Sequence, residues 1–212
     1  MSTYVGKMKD VLVAFNNTAL DIRKKKQAVQ EQYKDDIAAS EIAKLQNQLK
    51  QAEATAREQI ADIQQQAVAA AKQWAMPDGT KIDTADLELL RGDFNLSVED
   101  LNSLLIKHQG NGVMVNAIAK YAKEHGITPG YIPNVEDKLF AYEAFASGAN
   151  KMVSDICGNI GLSCTNEALT KWGTSGNMSQ RLELAIFGIK APATTETPKA
   201  VFDFGFKPLA GR

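Results

Sequence analysis

Between Gly6 and Pro77 the chain contains neither glycine nor proline, and the stretch is rich in Ala, Gln, Lys and Glu, which lose little on becoming helical. Within it Ile42, Leu45, Leu49, Ala52, Ala56, Ile60, Ile63, Ala67, Ala70 and Trp74 recur in steps of three and four. That spacing draws one narrow apolar stripe along a helix whose other faces carry Gln, Lys, Glu and Asp. An earlier stripe of Met8, Leu12, Phe15, Ala19 and Ile22 has the same spacing. Lys26 interrupts its seam, and the phase slips between Tyr33 and Ile42, which marks a stutter or a bend.

Two arrangements satisfy this pattern. One continuous helix from about Lys7 to Trp74 is on the order of 100 Å long at ~1.5 Å per residue, and another helix must cover its seam. A helical hairpin with a turn near Asp35-Asp36 instead closes the two stripes on each other. Residues 1–76 are expected to form a long N-terminal helical segment, either a coiled coil or a helical hairpin, with Ile42, Leu45, Leu49, Ile60, Ile63 and Trp74 as the helix-pairing seam.

Pro77-Asp78-Gly79 supplies a turn and the first boundary. Beyond it the start and stop signals of short helices follow in order. Asp83 or Thr84 opens a segment that ends before Gly92, and Ser97 with Asp100 forms a capping box for a helix to about His108. Asn111-Gly112 separates it from a helix of about Val113 to His125, closed by Gly126. Asn134 caps the next, Val135 to about Cys157, and Thr165 and Ser179 open two more, the last running through Phe187. Residues 77–190 read as a compact α-helical domain, so the expected fold class is all-α.

Residues 191–212 change character, with Pro192, Pro198 and Pro208 opposing helix formation. In this extended arm Phe202, Phe204 and Phe206 alternate with Asp203 and Gly205, which places three rings on one side of a strand as a docking edge.

Charge narrows the partners. The formal net charge is −1, so no global basic field draws nucleic acid or an anionic membrane. Arg23, Lys24, Lys25 and Lys26 are the candidate nucleic-acid contact, although Asp21 and Glu31 nearby suit a solvated face better. The pair of helices around Asn111-Gly112 has the outline of a DNA-reading helix-turn-helix, with Lys120 and Lys123 on the second helix, but Glu99, Asp100 and Glu124 flank it. No apolar run approaches the roughly 20 residues of a bilayer span, so membrane insertion is not expected. Two cysteines do not make a disulfide framework in a chain of 212 residues, and the start lacks the pattern of a signal peptide. The expected place of synthesis is a reducing cytoplasm.

Catalytic chemistry finds little support. His108 and His125 both fall near predicted helix C-termini, where a cation suits the helix dipole. A zinc site from His108, His125, Cys157 and Cys164 matches none of the usual paired-ligand spacings. The glycine clusters at 110–112, 158–161 and 173–176 follow no strand and lack the Lys-Ser/Thr of a phosphate loop. No metal, cofactor or catalytic residue is expected.

The Gln/Ala-rich helix of Ile42 to Trp74, the compact domain and the arm ending Phe202-Asp-Phe-Gly-Phe206 together resemble, in layout, virion structural proteins of tailed bacteriophages and prophages. Minor capsid, core, connector and scaffold-associated proteins share that layout. The resemblance implies a structural, oligomeric component that pairs through its helix and docks through its arm, with copies of itself or other subunits as partners and a virion as its destination. The rival expectations are a dimeric cytoplasmic adaptor or regulatory protein binding a protein or nucleic acid, and an enzyme whose site carries no recognisable motif.

Overall fold

The computed structural model describes residues 4–158 and Gly188. All regular structure among the described residues is helical: α1 (Tyr4–Gln32), α2 (Asp35–Ala75), α3 (Thr84–Arg91), α4 (Val98–His108), α5 (Gly112–Glu124) and α6 (Val135–Cys157), with one 3-10 turn at Gly79–Lys81. The boundaries follow the capping chemistry. Asp83 accepts from the Asp86 amide, Asn111 from the Val113 and Met114 amides, and Asn134 from the Asp137 amide. Ser97 and Asp100 accept from each other's backbone amides in a full capping box. At the far end of α5, Gly126 takes a φ of 66°, a left-handed value cheap only for glycine, and the Ile127 amide returns to the Ala122 carbonyl at 2.8 Å. The arm of 191–212 and the helices expected from Thr165 and Ser179 lie outside the described residues.

The stretch from Lys7 to Trp74 is not one helix. It breaks at Tyr33-Lys34, where Lys34 adopts φ −70° and ψ 157°, and α2 then runs back along α1. Val5, Met8, Leu12, Phe15 and Ala19 share one core with Ala56, Ile60 and Ile63, and Leu49 and Ala52 pack at its edge. Residues from the start of α1 thus meet residues from the second half of α2, which only an antiparallel fold-back achieves. Of the two arrangements the sequence pattern allows, the chain forms the hairpin, and the slip in hydrophobic phase is its turn. The reason lies in the side chains: the large residues of the first stripe and the alanines of the second cover each other without a second chain.

The third helix of this bundle is α6, which contributes Phe145, Ala146, Ala149, Val153 and Ile156 to the same core. Its direction follows from its polar and aromatic contacts. The Lys138 ammonium lies 4.9 Å from the centre of the Trp74 ring, and Tyr142 meets Tyr4 edge-on at 5.9 Å. Toward the other end of α6, Ser154 meets Arg57 and the Ile156 carbonyl accepts from Arg23. Hence α6 runs antiparallel to α2 and parallel to α1.

The chain divides into two compact units, with breaks between Met76 and Pro77 and between Ile132 and Pro133. The first break coincides with the Pro77-Asp78-Gly79 turn. The second differs from the sequence expectation of one domain over 77–190, because α6 leaves α3–α5 and completes the hairpin. In the other unit Leu101, Leu105, Met114, Val115, Ile118 and Tyr121 are buried. The Tyr121 hydroxyl donates to the Phe94 carbonyl at 2.5 Å and accepts from the Leu96 amide at 3.1 Å, pinning the segment between α3 and α4 onto α5.

Candidate interaction site

The helix-pairing seam is filled from within the chain. Ile60 is fully buried, Ile63 and Leu45 are buried, and Ile42, Leu49 and Trp74 are half-buried. The face expected to meet another chain is the inner face of the hairpin, and Trp74 closes one end of it beneath Lys138. Burial in turn holds the Lys138 ammonium below its ordinary pKa.

Polar latches hold α6 in the hairpin. Arg57 on α2 pairs with Glu53 at 2.8 Å and reaches across to the Ser154 hydroxyl at 2.7 Å and the Asn150 carbonyl at 3.3 Å. The Arg57 hydrogen bond keeps the Glu53 carboxyl below its usual range. Beside them, burial and the neighbouring Glu53 push the Cys157 thiol up to about 11, so it is a poor nucleophile at neutral pH. Periodicity gives no sign of these latches, because both arginines sit among the residues that a helical pattern assigns to solvent. The only available signal is an arginine flanking an apolar stripe at the correct height.

The four basic residues named as a possible nucleic-acid contact do not share one face of α1. Arg23 turns inward and donates to the Ile156 carbonyl at the end of α6, while Lys26 is half-buried. Lys24 and Lys25 are exposed, and Lys25 pairs with Asp21 at 2.7 Å. Four consecutive helical residues fan around most of the circumference at about 100° each, so adjacency in sequence scatters their charges.

Among the described residues, the exposed large hydrophobic side chains of the bundle lie toward its two ends. At the hairpin turn Tyr33 is 48% and Ile37 56% exposed; toward the opposite end Met76 is 61% and Phe140 62% exposed. Tyr33 and Ile37 were hidden in the sequence by the phase slip, where a stray apolar residue reads as a continuing seam.

In the other unit the described side chains form a compact charge cluster. The Lys107 ammonium lies 2.6 Å from Asp86 and 3.0 Å from Asp83, and His108 Nε2 lies 2.5 Å from the same Asp86 oxygen. Asp86 and His108 are both buried, and Lys107 followed by His108 keeps the Asp86 carboxyl below its usual range. Ligand atoms of Asp83, Asp86 and His108 fall within 4.8 Å of one another, a donor set of carboxylates and imidazole. The Lys107 ammonium already supplies a positive charge to both carboxylates, so the cluster works as an ionic clasp between α3 and α4. His125 serves elsewhere, stacked on Tyr121 with ring centres 3.9 Å apart. Of the quartet His108, His125, Cys157 and Cys164, the histidines belong to one unit and Cys157 to the other, while Cys164 lies outside the described residues.

Phe202, Phe204 and Phe206 also lie outside the described residues. Among the described residues no helix is long and apolar enough to cross a membrane. Comparison of the chain with protein-family models, with curated proteins and with solved structures finds no match.

Proposed function

We propose that this chain is a structural component of a multi-subunit assembly, acting through contact surfaces instead of a catalytic centre, and that the assembly is a phage virion. The observation that carries the reading is the exposure of large apolar residues toward both ends of one three-helix bundle, Tyr33 with Ile37 and Met76 with Phe140. A side chain of that size left in water is a cost that a neighbouring subunit removes. The layout that resembles virion structural proteins supports the same reading, as does the alternation of Phe202, Phe204 and Phe206 with Asp203 and Gly205 along the sequence, which suits a further docking edge. Native mass spectrometry and electron microscopy of the full chain test it. Species larger than a dimer are expected, and they are lost on replacing Tyr33, Ile37, Met76 and Phe140 by Ser or on deleting residues 191–212, with the helical content kept. A dimer that never grows, with these variants without effect, overturns the reading in favour of the adaptor.

A further inference from the structure

We propose that the hairpin opens at Lys34 and that two copies of this chain exchange α1, each laying it against the partner's α2 and α6. This inference goes beyond the assembly reading and does not depend on it. It rests on the hinge. The linker between α1 and α2 is only Tyr33-Lys34, the residues around it include no glycine or proline, and Lys34 offers no side-chain cap to the first amides of α2. Lys34 already holds a helical φ of −70°, and its extended ψ of 157° interrupts the helix at this position. Rotating that ψ into the helical range joins α1 to α2 and lets the carbonyls at the end of α1 bond the uncapped amides at the start of α2. Tyr33 and Ile37, exposed in the turn, become ordinary positions on a continuous helix.

The exchanged interface needs no new surface. Val5, Met8, Leu12 and Phe15 meet Ala56, Ile60 and Ile63 whether the two stripes belong to one chain or to two. Closed monomer and exchanged dimer therefore differ mainly in the hinge and in the entropy of association, the condition under which short hinges exchange segments. The partner is a second copy of this chain because only another α1 carries this stripe together with Arg23, which bonds the Ile156 carbonyl.

The test uses the full chain with Cys157→Ser and Cys164→Ser, and with spin labels on cysteines placed at the exposed Thr18 and Lys50, each sixteen residues from Lys34. Double electron–electron resonance is measured with the labelled chain diluted into excess unlabelled chain. A closed hairpin holds the labelled helices about 10 Å apart. An opened one separates the label sites by about 48 Å along one helix at ~1.5 Å per residue. The dimer fraction isolated by size exclusion is expected to show the long distance, and the monomer the short one. Asp35→Pro suits the closed turn, because it occupies the first helical position and Lys34 before it already has the extended ψ a following proline demands. The same proline sits inside the opened helix, so dimerisation should weaken at least about a hundredfold. Inserting Gly-Gly after Lys34 gives a second variant in which the closed turn is relaxed, with the same expected loss of dimer. A chain that stays monomeric at millimolar concentration overturns the inference, as does a dimer showing only the short distance or one untouched by both variants. An exchanged dimer without larger species overturns the assembly reading alone, and larger species built from closed hairpins overturn the exchange alone.

Discussion

Arg57 on α2 donates to the Ser154 hydroxyl on α6 at 2.7 Å, and the same guanidinium holds Glu53 on its own helix at 2.8 Å. One side chain thus ties the third helix to the hairpin through bonds that need its forked geometry. Arg57→Ala is expected to destabilise the bundle by about 1–3 kcal/mol, and Arg57→Lys to recover less than half of that loss. Chemical denaturation followed by circular dichroism checks both. Full recovery by lysine means that charge alone, without the fork, holds α6.

Cys157 supplies a chemical probe of the same junction. Burial, together with the hydrogen bond and negative charge of Glu53, raises its thiol pKa to about 11. In a Cys164→Ser background, alkylation by iodoacetamide is expected to be slow at neutral pH and to keep accelerating beyond pH 9, where a free thiol has levelled off. Glu53→Gln removes a contribution that raises the pKa, so its alkylation profile should shift to lower pH. A profile that levels off at the ordinary cysteine pKa contradicts the burial of this thiol.

Asp86 predicts an acid limit for the other unit. Its pKa is depressed in the fold by Lys107 and then His108, so its contribution is present above the unfolded carboxylate value of about 4 and is lost as pH falls through the lower folded value. Wild type should lose stability across that acidic window faster than Asp86→Asn, whose stability near neutral pH should be lower by about 1–3 kcal/mol. Thermal melts from pH 2 to pH 7 compare the two, and parallel curves refute the clasp.

Ile60 is fully buried in the core shared by three helices. Ile60→Ala should cost about 2–5 kcal/mol through lost burial and the cavity left behind. Helicity and fold should fail together on heating, since the seam holds the chain to itself. Loss of oligomeric mass with an unchanged melting temperature returns the seam to an intermolecular role.

Most of the helix boundaries among the described residues were legible because their signals are local. Asp83, Ser97 with Asp100, Asn111 and Asn134 each cap a helix within three residues, and sequence shows both partners at once. The turn at Lys34 was not decided by such a signal. No cap, glycine or proline marks it, and the phase slip between Tyr33 and Ile42 fits a stutter and a reversal equally well. The placement of α6 was illegible for a different reason. Its apolar face satisfies any complementary groove, and nothing in 135–157 states that the groove belongs to residues more than fifty positions earlier. The candidate site split along the same line: the exposed ends of the bundle follow from where the chain turns, whereas Lys107 and His108 reach Asp86 only once α3 and α4 are packed.

The bundle is discontinuous in sequence, and this imposes an order on synthesis. The ribosome delivers α1 and α2 first, then all of residues 77–132, and only afterwards the helix that completes the first unit. During that interval the nascent hairpin carries Ala56 and Ile60 without Phe145, Val153 and Ile156 to cover them. Newly made hairpins on neighbouring ribosomes of one messenger are then at high local concentration, with their inner faces incomplete. Translation speed through the intervening segment becomes a determinant of whether a hairpin closes on its own third helix or meets a sibling first.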